Sequence, residues 1–256
     1  MALTWELFLA GAFAALFAGI SKGGFGSGAA FAGAAILALG VPPGAALGIM
    51  LPVLMVIDLA TLRPYWRQWG REEALVLILG GLPGVALGVA FYRVADADLL
   101  RLLIGAIAVG FVAWQMAVRA RLVRGATRPL PVGAGLIAGV VAGFTSFVSH
   151  AGGPPAAVYL LSRGLGKTGF QATTVAVFFV LNIAKAVPYA ALGLLTRDTL
   201  MGAAILAPFA LAGAWLGLRA HRVVPERAFF AITYVLLTVT GLKLIYDGLS
   251  GMIPIG

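Results

Sequence analysis

Two stretches interrupt an otherwise apolar chain with groups able to hold a charged ligand. The first, Gly19–Gly28, reads GISKGGFGSG; the second, Gly143–Pro155, reads GFTSFVSHAGGPP. Each glycine inside a helix costs about 1 kcal/mol relative to alanine. A lysine at membrane depth costs roughly 2.5–3.5 kcal/mol on insertion scales. Two such costs in one place point to a site rather than a scaffold. A helix that starts inside a membrane leaves its first amide groups unpaired. A small anion supplies the acceptors and is favoured by the helix dipole. Half-helices starting near Gly24–Gly28 and Gly152–Pro155 would present such ends, and Pro154 and Pro155 suit a first turn. The expected substrate contacts are Ser21, Lys22, Gly23, Gly24 and Ser27 in the first break. In the second they are Thr145, Ser146, Ser149, His150, Gly152 and Gly153.

Each candidate has a plainer reading beside it. Lys22 could snorkel to the cytoplasmic interface. The hydroxyls could only cap helix ends. His150 could be a hydrogen-bonded packing residue, or it could carry a coupled proton. Asp58, Asn182 and Lys185 form a second group, expected to couple or to balance charge. Asp58 would pair with Lys185 or Lys22, and proton coupling is its other role. Asn182 and Gln171 could be interhelical hydrogen-bonding residues. Tyr65, Tyr189, Trp66 and Trp69 read as interfacial anchors.

The elements that must position these residues are membrane helices. The 256 residues are 61% hydrophobic and 11% charged, and the mean hydropathy is +1.03. A soluble domain of this size has no core able to hide that much apolar surface. Apolar runs fall near 5–20, 24–39, 44–62, 73–92 and 98–118, then 132–148, 152–162, 168–192, 199–219 and 227–247. No alternating barrel pattern appears. The segment Met1–Glu6 has no basic region and no cleavage site follows, so the first run is expected to be a structural helix rather than a signal peptide. The absence of cysteine excludes disulfides, thiolate metal sites and haem attachment. The net charge of +9 sits at helix ends and in the stretch Arg119–Arg128, which argues for orientation in a membrane and against nucleic-acid binding.

The chain repeats itself. At a separation of 124 residues, Gly19 matches Gly143, Gly28 matches Gly152, and Asp58 matches Asn182. Pro64 and Tyr65 match Pro188 and Tyr189 at the same separation. Further on, Gly84–Gly88 matches Gly213–Gly217 at a separation of 129. The cationic loops set the relative orientation. With Arg119–Arg128 in the cytoplasm and five segments in each half, the loops carrying Arg63, Arg67 and Arg71, then Arg163 and Lys167, then Arg219, Arg222 and Arg227, are cytoplasmic as well. The repeats are therefore expected to be inverted. The expected organisation is a first membrane repeat at 1–118, a cytoplasmic linker at 119–131 and a second repeat at 132–256, forming one membrane domain with both termini external. The fold class is an all-α polytopic membrane protein with two inverted repeats of five apolar segments. Broken or re-entrant helices are expected at the first two segments of each repeat, where transporters place substrate.

Two glycine-rich breaks, each followed by a short apolar helix, resemble the TauE/SafE family of sulfite exporters. The residues that carry the resemblance are Ser21–Gly26, Leu39–Pro43 with Leu51–Asp58, Gly143–Pro155, and Asn182–Tyr189. Nearly the whole chain is covered. The resemblance implies an inner-membrane carrier of sulfite or organosulfonates. The commoner family pattern has a Gly-x-Gly-Gly-Gly run at both breaks; here Ser21-Lys22 and Ser149-His150 stand in it, which looks like a branch with its own polar groups.

The expected function is a secondary transporter of small sulfur-containing oxyanions such as sulfite or sulfoacetate, working by alternating access, with His150 or Asp58 as the candidate carrier of a coupled proton. No cofactor is expected, and the partners are the anion and the bilayer. An anion channel is the alternative. A membrane-embedded enzyme is disfavoured because His150 and His221 lie far apart and no Gly-x-Ser-x-Gly motif occurs.

Overall fold

The computed structural model describes residues 5–25, 29–122, 128–220 and 226–252, and its regular elements are all helical. Helix α1 (Trp5–Ile20) runs into a π turn (Ser21–Phe25). There follow α2 (Ala32–Leu37), α3 (Pro43–Leu62), α4 (Arg71–Val94) and α5 (Ala97–Arg119). The second half holds α6 (Val132–Ser149), α7 (Gly153–Ser162), α8 (Lys167–Ala191), α9 (Arg197–Ala220) and α10 (Glu226–Met252). Among the described residues, eight helices are long and apolar enough to cross a membrane, with α1 and its π turn counted as one. The expected polytopic helical architecture is therefore present.

The short elements are α2 and α7, of 6 and 10 residues. At 1.5 Å per residue they extend about 9 and 15 Å, against a hydrocarbon core of about 30 Å. The run expected at 24–39 thus contracts to a turn and a half of helix. Glycines precede it, and the amides of Gly40 and Val41 close back on the Leu37 carbonyl at 3.0 and 3.1 Å. Pro42 then takes an extended backbone and releases the chain into α3 with Pro43 in its first turn. Helix α5 is capped conventionally: the Asp96 carboxylate accepts from the Leu99 amide at 2.7 Å.

Two cores cross between the halves. In the first, Ala14 and Ala18 of α1, Ala34 of α2 and Val53 of α3 pack with Ala210 and Ala214 of α9. In the second, Phe147 of α6, Tyr159 of α7 and Leu181 of α8 pack with Leu77 and Val85 of α4. The first core also takes Ile104 of α5 and Leu244 of α10, and the second takes Leu47 and Leu51 of α3, so each draws on both halves. Large apolar side chains such as Leu75, Leu79, Val235 and Val239 point outward, on the surface a bilayer would cover.

Glycine makes these crossings possible. A Cβ on Gly19 would stand 2.3 Å from the Ala210 carbonyl oxygen, and one on Gly143 would stand 2.0 Å from that of Gly81. A Cβ on Gly84 would lie 2.1 Å from the Val140 oxygen, and one on Gly213 would lie 2.2 Å from that of Leu16. Backbones this close are the usual basis of helix association in lipid, where no hydrophobic drive separates helix from solvent. Gly143→Ala or Gly213→Ala must force two backbones apart. Each is expected to lower the thermal midpoint in detergent by the equivalent of about 1–3 kcal/mol. Gly110→Ala, whose Cβ meets nothing within 4 Å, should leave the midpoint unchanged or raise it slightly.

Candidate functional site

The second break forms at the end of α6. His150 takes a left-handed backbone (φ 57°, ψ 13°), and its amide donates to the Ser146 carbonyl at 3.0 Å while that of Ala151 donates to Thr145 at 3.2 Å. Glycine normally ends a helix this way. A side chain at such a position costs roughly 1–2 kcal/mol, so the imidazole is held there at the expense of backbone comfort. Its Nε2 lies 3.2 Å from the Leu47 carbonyl oxygen of α3, and its Nδ1 lies 3.0 Å from Lys185 Nζ. A carbonyl can only accept, so Nε2 bears the hydrogen and Nδ1 accepts from the lysine.

Lys185, on α8, is fully buried. Besides His150 it donates to the Ser146 carbonyl at 3.0 Å and the Ser146 hydroxyl at 2.9 Å. Its three hydrogens thus meet three neutral acceptors. Lys22, in the π turn, is only 2% exposed and forms an ion pair with Asp58 of α3. The other carboxylate oxygen of Asp58 accepts from the Asn182 amide at 2.6 Å. Asp58 and Asn182, matched in the sequence repeat, are therefore bonded to each other. Among the described residues no second carboxylate pairs with either lysine. Two ammonium groups and one carboxylate lie sealed together where α3, α8, the π turn and the second break meet. Among the described residues this cluster holds one more basic side chain than carboxylates, and an isolated buried charge costs several kcal/mol.

The same bond recurs in both halves. Tyr65 donates its hydroxyl to the Gly23 carbonyl at 2.8 Å, and Tyr189 donates to that of Phe147 at 2.5 Å. These tyrosines are 5% and 0% exposed, which corrects the expectation that they anchor the interface. Each satisfies a carbonyl freed where the regular helical ladder is disturbed. The Pro-Tyr pair repeated in the sequence was the available signal. Trp66 is exposed and packs edge-on against the half-buried Trp69. Gln171 also serves the π turn, donating its amide to the Lys22 carbonyl.

Of the expected site residues, Lys22, Asp58, Ser146, His150, Asn182 and Lys185 converge. Ser21 is fully buried beside them in sequence. Thr145 bonds the carbonyls of Val141 and Ala151 at 2.8 and 3.0 Å, and Ser149 bonds that of Thr145 at 2.8 Å, so these hydroxyls close the break itself. Gly23 and Gly24 face α9: a Cβ on either would come within 2.5 Å of the carbonyl oxygen of Ala214 or Gly217. Gly152 precedes α7 and Gly153 begins it. Because Pro154 and Pro155 have no N–H, the amides of Gly152 and Gly153 are the donors that turn can offer. Ser27 lies outside the described residues. Sequence reasoning missed Phe178 of α8. Its ring lies 2.6 Å from the place of a Gly152 Cβ, and Lys22 Nζ stands 6.0 Å above its centre. Nothing in the sequence marked that phenylalanine or the Leu47 carbonyl. Among the described residues no group of three His, Asp or Glu could hold a metal.

The profile of the family described as "Sulfite exporter TauE/SafE" matches residues 11–244 of the chain. No curated protein matches it, and no solved structure does.

Tyr65→Phe and Tyr189→Phe each strand a buried carbonyl, at a cost of about 1–3 kcal/mol. Both variants are expected to lose thermal stability in detergent, by similar amounts. A midpoint that does not move in either would show that those carbonyls find other donors.

Proposed function

The chain belongs to the TauE/SafE family of sulfite exporters, and on that footing we propose that it is a secondary carrier of small sulfur oxyanions, sulfite or organosulfonates such as sulfoacetate. The observation that carries the reading is the burial of two lysines, Lys22 and Lys185, beside one carboxylate, Asp58. A carrier of anions needs a positive site sheltered from both aqueous faces. In the proposed bound state the anion lies between the two lysines, with Ser21, Ser146, His150 and the amides of Gly152 and Gly153 as further donors. Ser27, Thr145, Ser149, Gly23 and Gly24 complete the lining as the two breaks rearrange.

Alternating access would come from two inverted repeats rocking about this point. The reading is supported by tyrosine bonds that repeat at a separation of 124 residues, and by α4 and α9 packing on the opposite half. The discontinuities at Ser21–Phe25 and at His150 would be the midplane breaks. Cationic loops place the linker in the cytoplasm and both termini outside, in the inner membrane of a bacterium. A coupled proton would be carried by His150 or Asp58.

Uptake and efflux of labelled sulfite and sulfoacetate in proteoliposomes, with and without a pH gradient, test the proposal. Saturable flux is expected, and Lys22→Ala and His150→Ala are each expected to cut it at least about tenfold, equivalent to about 1.4 kcal/mol. Wild-type rates in both variants would refute the site, and flux without saturation would identify a channel.

A further inference from the structure

We propose that Asp58 sets the proton stoichiometry by the charge of the substrate: a dianion binds together with one proton, taken up by Asp58, whereas a monoanion binds with none. The inference rests on the proposed placement of the substrate anion beside Lys22 and Lys185.

The argument is a charge balance inside a sealed volume. Lys22 is ion-paired with Asp58, while Lys185 is solvated, among the described residues, by the Ser146 carbonyl, the Ser146 hydroxyl and His150 Nδ1. With Lys185 protonated, donating to its three acceptors, the cluster holds two cations against one anion. A monoanion brings it to neutrality with Asp58 still ionised. A dianion brings it one charge past neutrality. A net charge in a medium of low dielectric is costly, and the excess can be removed by one proton.

Asp58 is the group placed to take it. It is fully buried, so its charge is neither screened nor hydrated. The charged groups that act on it are Lys22 from the π turn and Lys185 from α8. His150 touches Lys185 and Leu47, and its bonding leaves it neutral with Nε2 already protonated. Helices α1, α2, α5 and α9, which also pack on α3, add no charged group that acts on Asp58 among the described residues. The geometry also fixes which oxygen is protonated. Oδ2 remains the acceptor for Asn182 Nδ2 at 2.6 Å, so the proton goes to Oδ1, the oxygen that faced Lys22. The ammonium of Lys22 is thereby released to the substrate. Oδ1, formerly an acceptor, becomes an O–H donor to a substrate oxygen. The proton comes from water on the side to which the site is open, and it leaves with the dianion on the other side. Asn182 serves as the positioning residue, since it keeps the carboxyl in place in both states.

Two probes separate the cases in one protein. Methanesulfonate carries one negative charge, and sulfoacetate carries two once its carboxyl is ionised, above about pH 4. Binding of each to the purified full-length protein is followed by calorimetry in buffers of different ionisation enthalpy, between about pH 6 and 8. Sulfoacetate should bind with uptake of about one proton, and its affinity should fall about tenfold per pH unit. Methanesulfonate should bind with no proton uptake and a flat pH profile. Asp58→Asn should flatten the sulfoacetate profile and abolish its proton uptake. If that variant does not fold, the wild-type comparison of the two anions decides alone. Equal proton counts for the two probes would overturn the proposal, as would an Asp58→Asn protein that keeps the tenfold slope. Failure of both probes and of sulfite to bind would instead remove the anion reading on which it rests.

Discussion

The ion pair between Lys22 and Asp58, closed by Asn182, joins three parts of the chain that are far apart in sequence. Lys22 comes from a distorted turn after α1, Asp58 from the last third of α3, and Asn182 from the second half of α8. None could be buried alone at this depth, because a lone charge in so apolar a setting would cost more than most single packing contacts return. The approach of α3 to α8, and of both to the end of α1, satisfies that requirement, and the Tyr65 and Gln171 bonds to the π turn support it. Lys185 extends the same logic to the second break, where Ser146 and His150 turn polar atoms inward to receive it.

Packing around this centre depends on the absence of side chains as much as on their presence. Wherever α1 crosses α9, or α6 crosses α4, a glycine allows a carbonyl of one helix to approach the backbone of the other. The tyrosines that follow α3 and end α8 then reach into the disturbed turns and saturate their carbonyls. Scaffold and site are thus built from separate residue classes. Small residues bring the helices together, aromatic hydroxyls keep the irregular backbone satisfied, and the few buried charged groups gather at one point.

Much of this was legible in the residues. Apolar runs, prolines and glycines located nearly every helix, since turn and cap chemistry is local. The match of Asp58 to Asn182 and of Tyr65 to Tyr189 carried real three-dimensional content: the first pair touch, and the second make equivalent bonds. What could not be read was direction. Gly23 and Gly24 read as room for a ligand, and spacing did not show that they also make room for α9. Tyr65 and Tyr189 looked amphipathic, as tyrosine always does, and only the fold decides whether the hydroxyl meets water or a stranded carbonyl. Thr145 and Ser149 bond to carbonyls of their own helix, a competition that residue type allows but spacing does not resolve. The Leu47 carbonyl and the Phe178 ring have no sequence signature, because one is backbone and the other is an ordinary apolar residue in a chain full of them.

The exchange of α4 and α9 between the two cores has a consequence for biosynthesis. Helix α1 leaves the ribosome carrying a lysine and a bare glycine face, yet the helix that covers that face is made after seven others. Until then its glycines have lipid for a neighbour. Asp58 arrives early and can neutralise Lys22 while the chain is still growing, but Asn182 and the covering backbone of α9 come only near the end. The first half is not a finished object when its own synthesis stops, whereas α4 is already in place when the second half is made. The first must wait in the bilayer as an open intermediate, and the last helices to be inserted lock both halves together.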